Sequence, residues 1–394
     1  MKSLSALLVL SAIAVATPLS WITEAQQSPL TQGHPGFTLD LNELRLVQRA
    51  DDSEPVWMTE LEKIQAKAQG VKFFDITETP DLGVYSHLRP LTKVSFPTSP
   101  NASELVKPVL KTLSTDGPKK NLAKFSSFRT RHYRSDTGRQ SQQWLLSELE
   151  SATKLNASPS LQAAISIREF SHSWGQNSVI VRINGTSNDD DGVVVIGAHQ
   201  DSTNLWPFLP APGADDDGSG SMTIFESYRA LITADFRPVR TVEFHWYSAE
   251  EGGLLGSQAV AKDYESRHVN VLAMSQFDMT AWVKRGTREE VGIIVDYVDE
   301  DVTAFNKALV DEYLDIPYVE TKCGYACSDH ASWSKAGYPS SFTIESSFEN
   351  SNKNIHSTND RIDVSDEFSF DHMLEFSKLA VAFAIELGGW KKSD

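Results

Sequence analysis

The chain has 394 residues, of which 40% are hydrophobic and 23% charged. That balance excludes wholesale disorder and leaves room for one large domain with a smaller companion. With 53 acidic against 36 basic residues and a formal net charge of -17, the chain lacks the basic footprint that nucleic-acid binding requires, so no nucleic-acid partner is expected.

In chain order, the first stretch, MKSLSALLVLSAIAVATPLS, couples Lys2 to an apolar run and the small-x-small triplet Ala14, Val15, Ala16. It reads as a secretory signal peptide over residues 1–16. The run falls short of the roughly 20 apolar residues that span a bilayer. A secreted, extracellular protein without a membrane partner is therefore expected. Residues 17–88 are polar and broken by turns such as ADDSEP and TETPDLG, with one amphipathic helical segment, MTELEKIQAKA. Behind a signal peptide this pattern is that of a propeptide, its boundary approximate; a small N-terminal subdomain that stays attached is the alternative. Sequons at Asn101, Asn156 and Asn184 fit a glycoprotein.

Over residues 89–394 the pattern changes. After the helical stretch SQQWLLSELESATKL come apolar runs bounded by turns: GVVVIGAH, TVEFHWYSAEE, VLAMSQFDMT, VGIIVDYV and SSFTIESS. Between them lie helical segments expected at 219–233, 254–266 and 302–315, with a last one at 371–388. Such alternation predicts an α/β domain whose mixed, mainly parallel sheet is flanked by helices on both faces. Ligands of such sheets bind beyond the carboxyl ends of the strands, which directs attention to the residues at the end of each run.

Those residues are of the metal-binding type. VVVIGAH ends in His199, with Asp201 close behind; FHWYSAEE ends in Glu250 and Glu251; MSQFDMT contains Asp278. The turn PGADDDGSGSM crowds Asp215, Asp216 and Asp217 before a helix start, more carboxylates than a helix cap needs, and a divalent cation would relieve their repulsion. Glu250 and Glu251, if extended, point in different directions, so one can bind metal while the other faces substrate. His356, in NIHSTNDRID, supplies a second imidazole. Together His199, Asp216, Glu251, Asp278 and His356 have the ligand types of a two-zinc hydrolytic centre. The only cysteines, Cys323 and Cys327 in KCGYACSD, read as one short-range disulfide, since a single pair cannot fill a structural zinc site. His245, within a strand run, reads as a packed core histidine and His330 as structural. The glycines of EEGGLLGS lack the Lys-Ser/Thr ending of a phosphate loop.

In order, GAHQDS, PGADDDGSG, SAEEGGLLGS, QFDMT, CGYACSDHASW and IHSTND resemble the secreted di-zinc leucine aminopeptidases of filamentous fungi and their bacterial relatives, over residue 89 to the end, with a fungal-type signal and pro-segment before it. The resemblance implies a zinc-dependent exopeptidase fold and an aminopeptidase acting on peptides with a free N-terminus, preferably leucine or another large apolar residue. It implies Asp216 as the bridging ligand of two zinc ions, with His199 and Asp278 completing one and Glu251 and His356 the other. Glu250 would be the general base, Asp201 the partner of the second His199 nitrogen, and Tyr325 an oxyanion stabiliser held by the disulfide. Asp217 matches the residue joined to the bridging aspartate by a cis peptide bond. Met279, Phe342, Ile344, Phe348 and Ile355 match the substrate pocket. The pro-segment would be an intramolecular partner, and a monomer is expected. A glutaminyl cyclase-like zinc transferase and a non-catalytic, peptidase-like binding module are the alternatives.

Overall fold

The computed structural model describes residues 34–49, 54–86, 96–187 and 192–390. The expected signal peptide and the expected boundary at residue 88 lie outside them. Two units succeed one another along the chain. The first contains β1 (Leu44–Arg49), β2 (Val56–Thr59), α1 (Glu60–Ala68) and β3 (Phe73–Asp75), with the antiparallel strand order β2-β1-β3. Helix α1 starts where its sequence says it should: Thr59 accepts from the Glu62 amide, and the Glu62 carboxylate accepts from the Thr59 amide.

The second unit is the expected α/β domain. After helix α2 (Asp136–Asn156) come β4 (Ile165–Phe170), β5 (Ser178–Ile183), β6 (Val193–His199), α3 (Gly218–Thr233), β7 (Thr241–Tyr247), α4 (Leu255–Ser266) and β8 (Val271–Phe277). They are succeeded by β9 (Val291–Ile294), α5 (Glu300–Tyr313), β10 (Tyr318–Thr321), α6 (His330–Lys335), β11 (Ser340–Ile344) and α7 (Phe370–Gly388). One eight-stranded sheet runs β10-β9-β11-β8-β6-β7-β5-β4. Its centre is parallel through the β6/β7, β6/β8 and β11/β8 pairs, while β9 opposes β11, and β5 opposes β7 and β4. The antiparallel β4–β5 pair and the three-stranded N-terminal sheet are not anticipated by the sequence. Helix α5 begins two residues earlier than expected, because Asp299 caps it by accepting from the Val302 amide at 2.9 Å.

Strand alternation builds two cores. Val194, Ile196 and Ala198 of β6 face one side with Val242, Phe244 and Trp246 of β7, packed beneath α2, α3, α5 and α7. Val193 and Val195 face the other side with Tyr247 of β7, Val260 and Tyr264 of α4, and Trp333 of α6. Burial on both faces explains why these runs read as continuously apolar. His245 is fully buried against Glu243, with Nε2 2.8 Å from the carboxylate. His330 is equally buried and stacks on Phe342, as a structural residue would.

Candidate metal centre

The carboxyl ends of β6, β7 and β8 bring the metal-type residues together. His199 is the last residue of β6, Asp216 stands in the turn that opens α3, Glu251 comes just after β7, and Asp278 just after β8. His356 arrives from the loop after β11. Asp216 is the meeting point: its Oδ1 lies 3.1 Å from His199 Nε2, and its Oδ2 lies 3.0 Å from His356 Nε2. Asp278 stands 3.6 Å from the same His199 nitrogen, and Glu251 Oε2 stands 3.0 Å from the same His356 nitrogen. Two clusters result, His199–Asp216–Asp278 and Asp216–Glu251–His356, each with its ligand atoms within 4.8 Å of one another.

These residues fit divalent cations. His199 Nε2, Glu251 Oε1 and Asp278 Oδ1 are buried without a hydrogen-bond partner of good geometry, and buried polar atoms are rarely left so. Two imidazoles and three carboxylates form a donor set that suits zinc. The electrostatics agree. Burial opposes the charged imidazoles, yet Glu251 and Asp216 push His356 up to about 9, and Asp278, Asp201 and Asp216 push His199 well above its ordinary range. Asp216 moves the other way: despite burial, both imidazoles hold it far below the usual carboxylate range.

The three adjacent aspartates divide their work. Asp215 turns inward to Ser219 Oγ at 2.9 Å and Asn352 Nδ2 at 2.9 Å. Asp217, joined to Asp216 by a cis peptide, caps α3 through the Gly220 amide and accepts the His199 and Met279 amides. Burial raises both of these carboxyls, so Asp216 alone is left to face a cation. A Cβ on Gly220 would fall 2.4 Å from the Phe277 carbonyl, so the close helix–strand contact beneath the centre requires glycine there. Asp360, part of IHSTND but without a role legible in the sequence, accepts the Asp215 and Asp216 amides at 2.9 and 3.0 Å. Burial together with Asp215 and Asp216 pushes its carboxyl up to about 8.

One expectation needs correction. Glu250 and Glu251 are not extended, because β7 ends at Tyr247 and Ala249 adopts φ 59°. They diverge because the chain turns, and Glu250 alone stays partly exposed, towards an open cavity. Burial, reinforced by Glu251 and Asp329 against His199, pushes the Glu250 carboxyl well above its usual range. Asp201 stands beside the second His199 nitrogen, where it is expected. The closer contact of His199 Nδ1 is the Asp201 backbone carbonyl at 3.2 Å, with Oδ1 at 3.5 Å. The carboxylate also accepts the amides of Glu250 and Glu251 at 3.0 and 3.2 Å. Asp201 therefore ties the glutamate turn to the histidine strand.

The cavity, of about 280 Å³, opens onto the cluster. Its polar end carries Asp216, Glu250, Glu251, Asp278 and His356; its apolar end carries all five expected pocket residues, Met279, Phe342, Ile344, Phe348 and Ile355. Tyr325 also lines it, in the loop closed by the Cys323–Cys327 disulfide. That loop is anchored by Asp296, which accepts the Cys323 and Gly324 amides. Sequence reasoning misses one part of the wall: Lys67, Val71, Lys72 and Phe73 of the N-terminal unit line the same cavity. Away from the site, Asn101 and Asn184 are exposed, whereas Asn156 is half-buried with its amide on the Ala152 carbonyl.

A family model described as peptidase family M28 matches residues 178–381. A Neurospora crassa protein named leucine aminopeptidase 1 is 50% identical over 341 residues, covering 84% of this chain and 82% of its own length. A protein of the same name from Coccidioides posadasii is 46% identical over 400 residues, covering 98% and 99%. Among solved structures, the Legionella pneumophila aminopeptidase LapA is similar with a TM-score of 0.75 and 28% identity, over 88% of this chain and 95% of that one.

Proposed function

The chain belongs to peptidase family M28, and from that premise we propose that this zinc-dependent aminopeptidase is a secreted enzyme that removes leucine or another large apolar residue from peptide N-termini, using two zinc ions. The observation that carries the two-ion reading is Asp216, whose two oxygens each face a different histidine. His199, Asp216 and Asp278 would hold one ion, and Asp216, Glu251 and His356 the other. Zinc bound there supplies Lewis acidity, which polarises a carbonyl and brings the pKa of water towards about 7.

The rest is done by the chain. Glu250 accepts the proton of the attacking water and returns it to the departing amine, a role that its partly exposed position on the cavity beside the ligands supports. The Tyr325 hydroxyl donates to the carbonyl oxygen as negative charge develops there. Asp278 receives the free amine of the substrate. Met279, Phe342, Ile344, Phe348 and Ile355 receive its first side chain, and this apolar end supports the leucine preference.

Residues 17–88 are a propeptide in this reading, and their removal opens the cavity; support comes from the four residues of that segment that wall it. The test is elemental analysis of the mature protein together with leucine release from free and N-acetylated peptides. Two zinc ions per chain and cleavage of the free peptide alone are expected. Preference for the acetylated peptide would overturn the reading.

A further inference from the structure

Two lysines one turn apart on α1 point towards the glutamate turn, and they find their carboxylates in different places. Lys63 is neutralised inside its own unit, 2.8 Å from Glu60 and 2.9 Å from Asp75. Among the described residues of its own unit, Lys67 has no such neighbour. Its ammonium reaches across to the catalytic unit, 2.6 Å from Glu251 Oε2 and 2.9 Å from the Glu251 carbonyl. Glu251 Oε2 is also the oxygen that faces His356 Nε2 at 3.0 Å. One ligand atom of the second cluster is thus shared between an imidazole of the centre and an ammonium of the N-terminal unit.

The contact is not a loose surface pair. The Lys67 side chain is 27% exposed and that of Glu251 only 2%. The helix that carries Lys67 is held in place nearby, because the Asp75 amide donates to the Gly253 carbonyl at 3.1 Å and Lys63 donates to the Gly252 carbonyl at 3.2 Å. A Cβ on Gly253 would come within 2.8 Å of the Asp75 nitrogen, so the two backbones meet as closely as glycine permits. Lys72 adds a second positive charge, with its ammonium 4.2 Å from the centre of the Tyr325 ring.

We propose that Lys67 weakens cation binding at the Asp216–Glu251–His356 half of the centre while the N-terminal unit is attached, so that the two halves load unequally and the propeptide controls the second ion as well as access. The inference deepens the two-zinc reading and rests on it. A fixed ammonium engages the ligand oxygen and repels a divalent ion within the same few ångströms, and in a half-buried site such a charge changes affinity by at least about tenfold. The His199–Asp216–Asp278 half has no lysine on its ligand atoms among the described residues and keeps its full affinity.

The test uses the full chain with its N-terminal segment attached, stripped of metal and titrated with zinc against a chromophoric chelator. Wild type should take up a first ion tightly and a second at least about tenfold more weakly. Lys67→Met and Lys67→Gln should bring the second constant up towards the first, whereas Lys67→Arg, which keeps the charge, should leave it weak. Near-ultraviolet circular dichroism selects folded variants. Equal second-site constants in wild type and in a folded neutral variant would overturn the proposal, as would an arginine variant that behaves like the neutral ones. Leucine release from free peptides is read separately, so failure of the aminopeptidase reading is not mistaken for failure of this one.

Discussion

The N-terminal unit and the sheet unit solve the problem of cohesion in opposite ways. The sheet unit buries long aliphatic and aromatic clusters on both faces, with its metal-type residues gathered at the strand ends. The N-terminal unit has a small apolar cluster shared with Phe208 and places charged groups at its centre: Arg45, Lys63 and Asp75 are all buried, with Asp75 Oδ2 2.7 Å from Arg45 and 2.9 Å from Lys63. Its contacts with the rest of the molecule are polar at Lys67–Glu251, Thr79–Gln258, the Gly83 amide on Glu265 and Lys262 on Asp81, and apolar where Leu82 enters the core beneath α4 and α6 and Phe74 packs on Leu254, Ala326 and Ala331. The difference teaches that the two units rest on different forces. Apolar burial makes a rigid frame for the centre, whereas the N-terminal unit, with charge at its own core, lies over it as a close cover seated by both polar and apolar contacts.

The largest expected effect tests where the chemistry resides. Glu250→Gln should lower kcat on a leucine anilide by about 10²–10⁴-fold while zinc content stays unchanged. A rate within a few-fold of wild type would remove Glu250 as the base and, with it, the assignment of catalysis to the glutamate turn.

Next comes the ionic core of the cover. Asp75→Asn leaves Arg45 and Lys63 buried without their shared carboxylate and should cost about 3–5 kcal/mol. Hydrogen exchange should rise in β1 to β3 and stay slow in β6 to β8; uniform acceleration through both units would erase the contrast between them. Acid should act in the same place. Although burial favours its neutral form, Lys63 and Arg45 hold the Asp75 pKa below its ordinary value. Its contribution is therefore full above about pH 5 and lost as pH falls below about 4.

The smallest effect concerns the one comparable carboxylate inside the sheet. Glu243 is buried, and its pKa is held down at about 2, against the effect of burial, by His245, Tyr264 and Arg182. Glu243→Gln should cost about 1–3 kcal/mol and should flatten the acid loss of stability between the ordinary glutamate range and about pH 2. Unfolding curves for the sheet unit at several pH values measure this. A loss as large as that from Asp75→Asn would mean that the two units depend on charge alike.

Much of the centre can be read from the sequence because strand periodicity and ligand chemistry coincide. His199 and Asp278 stand at or just after the ends of apolar runs, where sheet topology brings residues far apart in the chain to one edge. The glutamate turn reads as extended, since nothing in SAEEGG announces the positive φ of a non-glycine residue at Ala249. The role of Asp201 is half legible: its position beside His199 is clear, but its bonds to two amides 49 and 50 residues away are not. Lys67 is invisible for a similar reason. A lysine on an amphipathic helix looks solvated until the fold sets it against a carboxylate 184 positions later.

The division of labour among Asp215, Asp216 and Asp217 also limits how this stretch can vary. Each side chain points to a different destination, so no neighbour can stand in for another. A one-residue deletion would put the helix cap where the ion-facing carboxylate belongs, and an insertion would do the reverse. Loops elsewhere on the surface can lengthen freely, but this tripeptide is a fixed ruler between strand and helix, and engineering of the enzyme has to leave its length untouched.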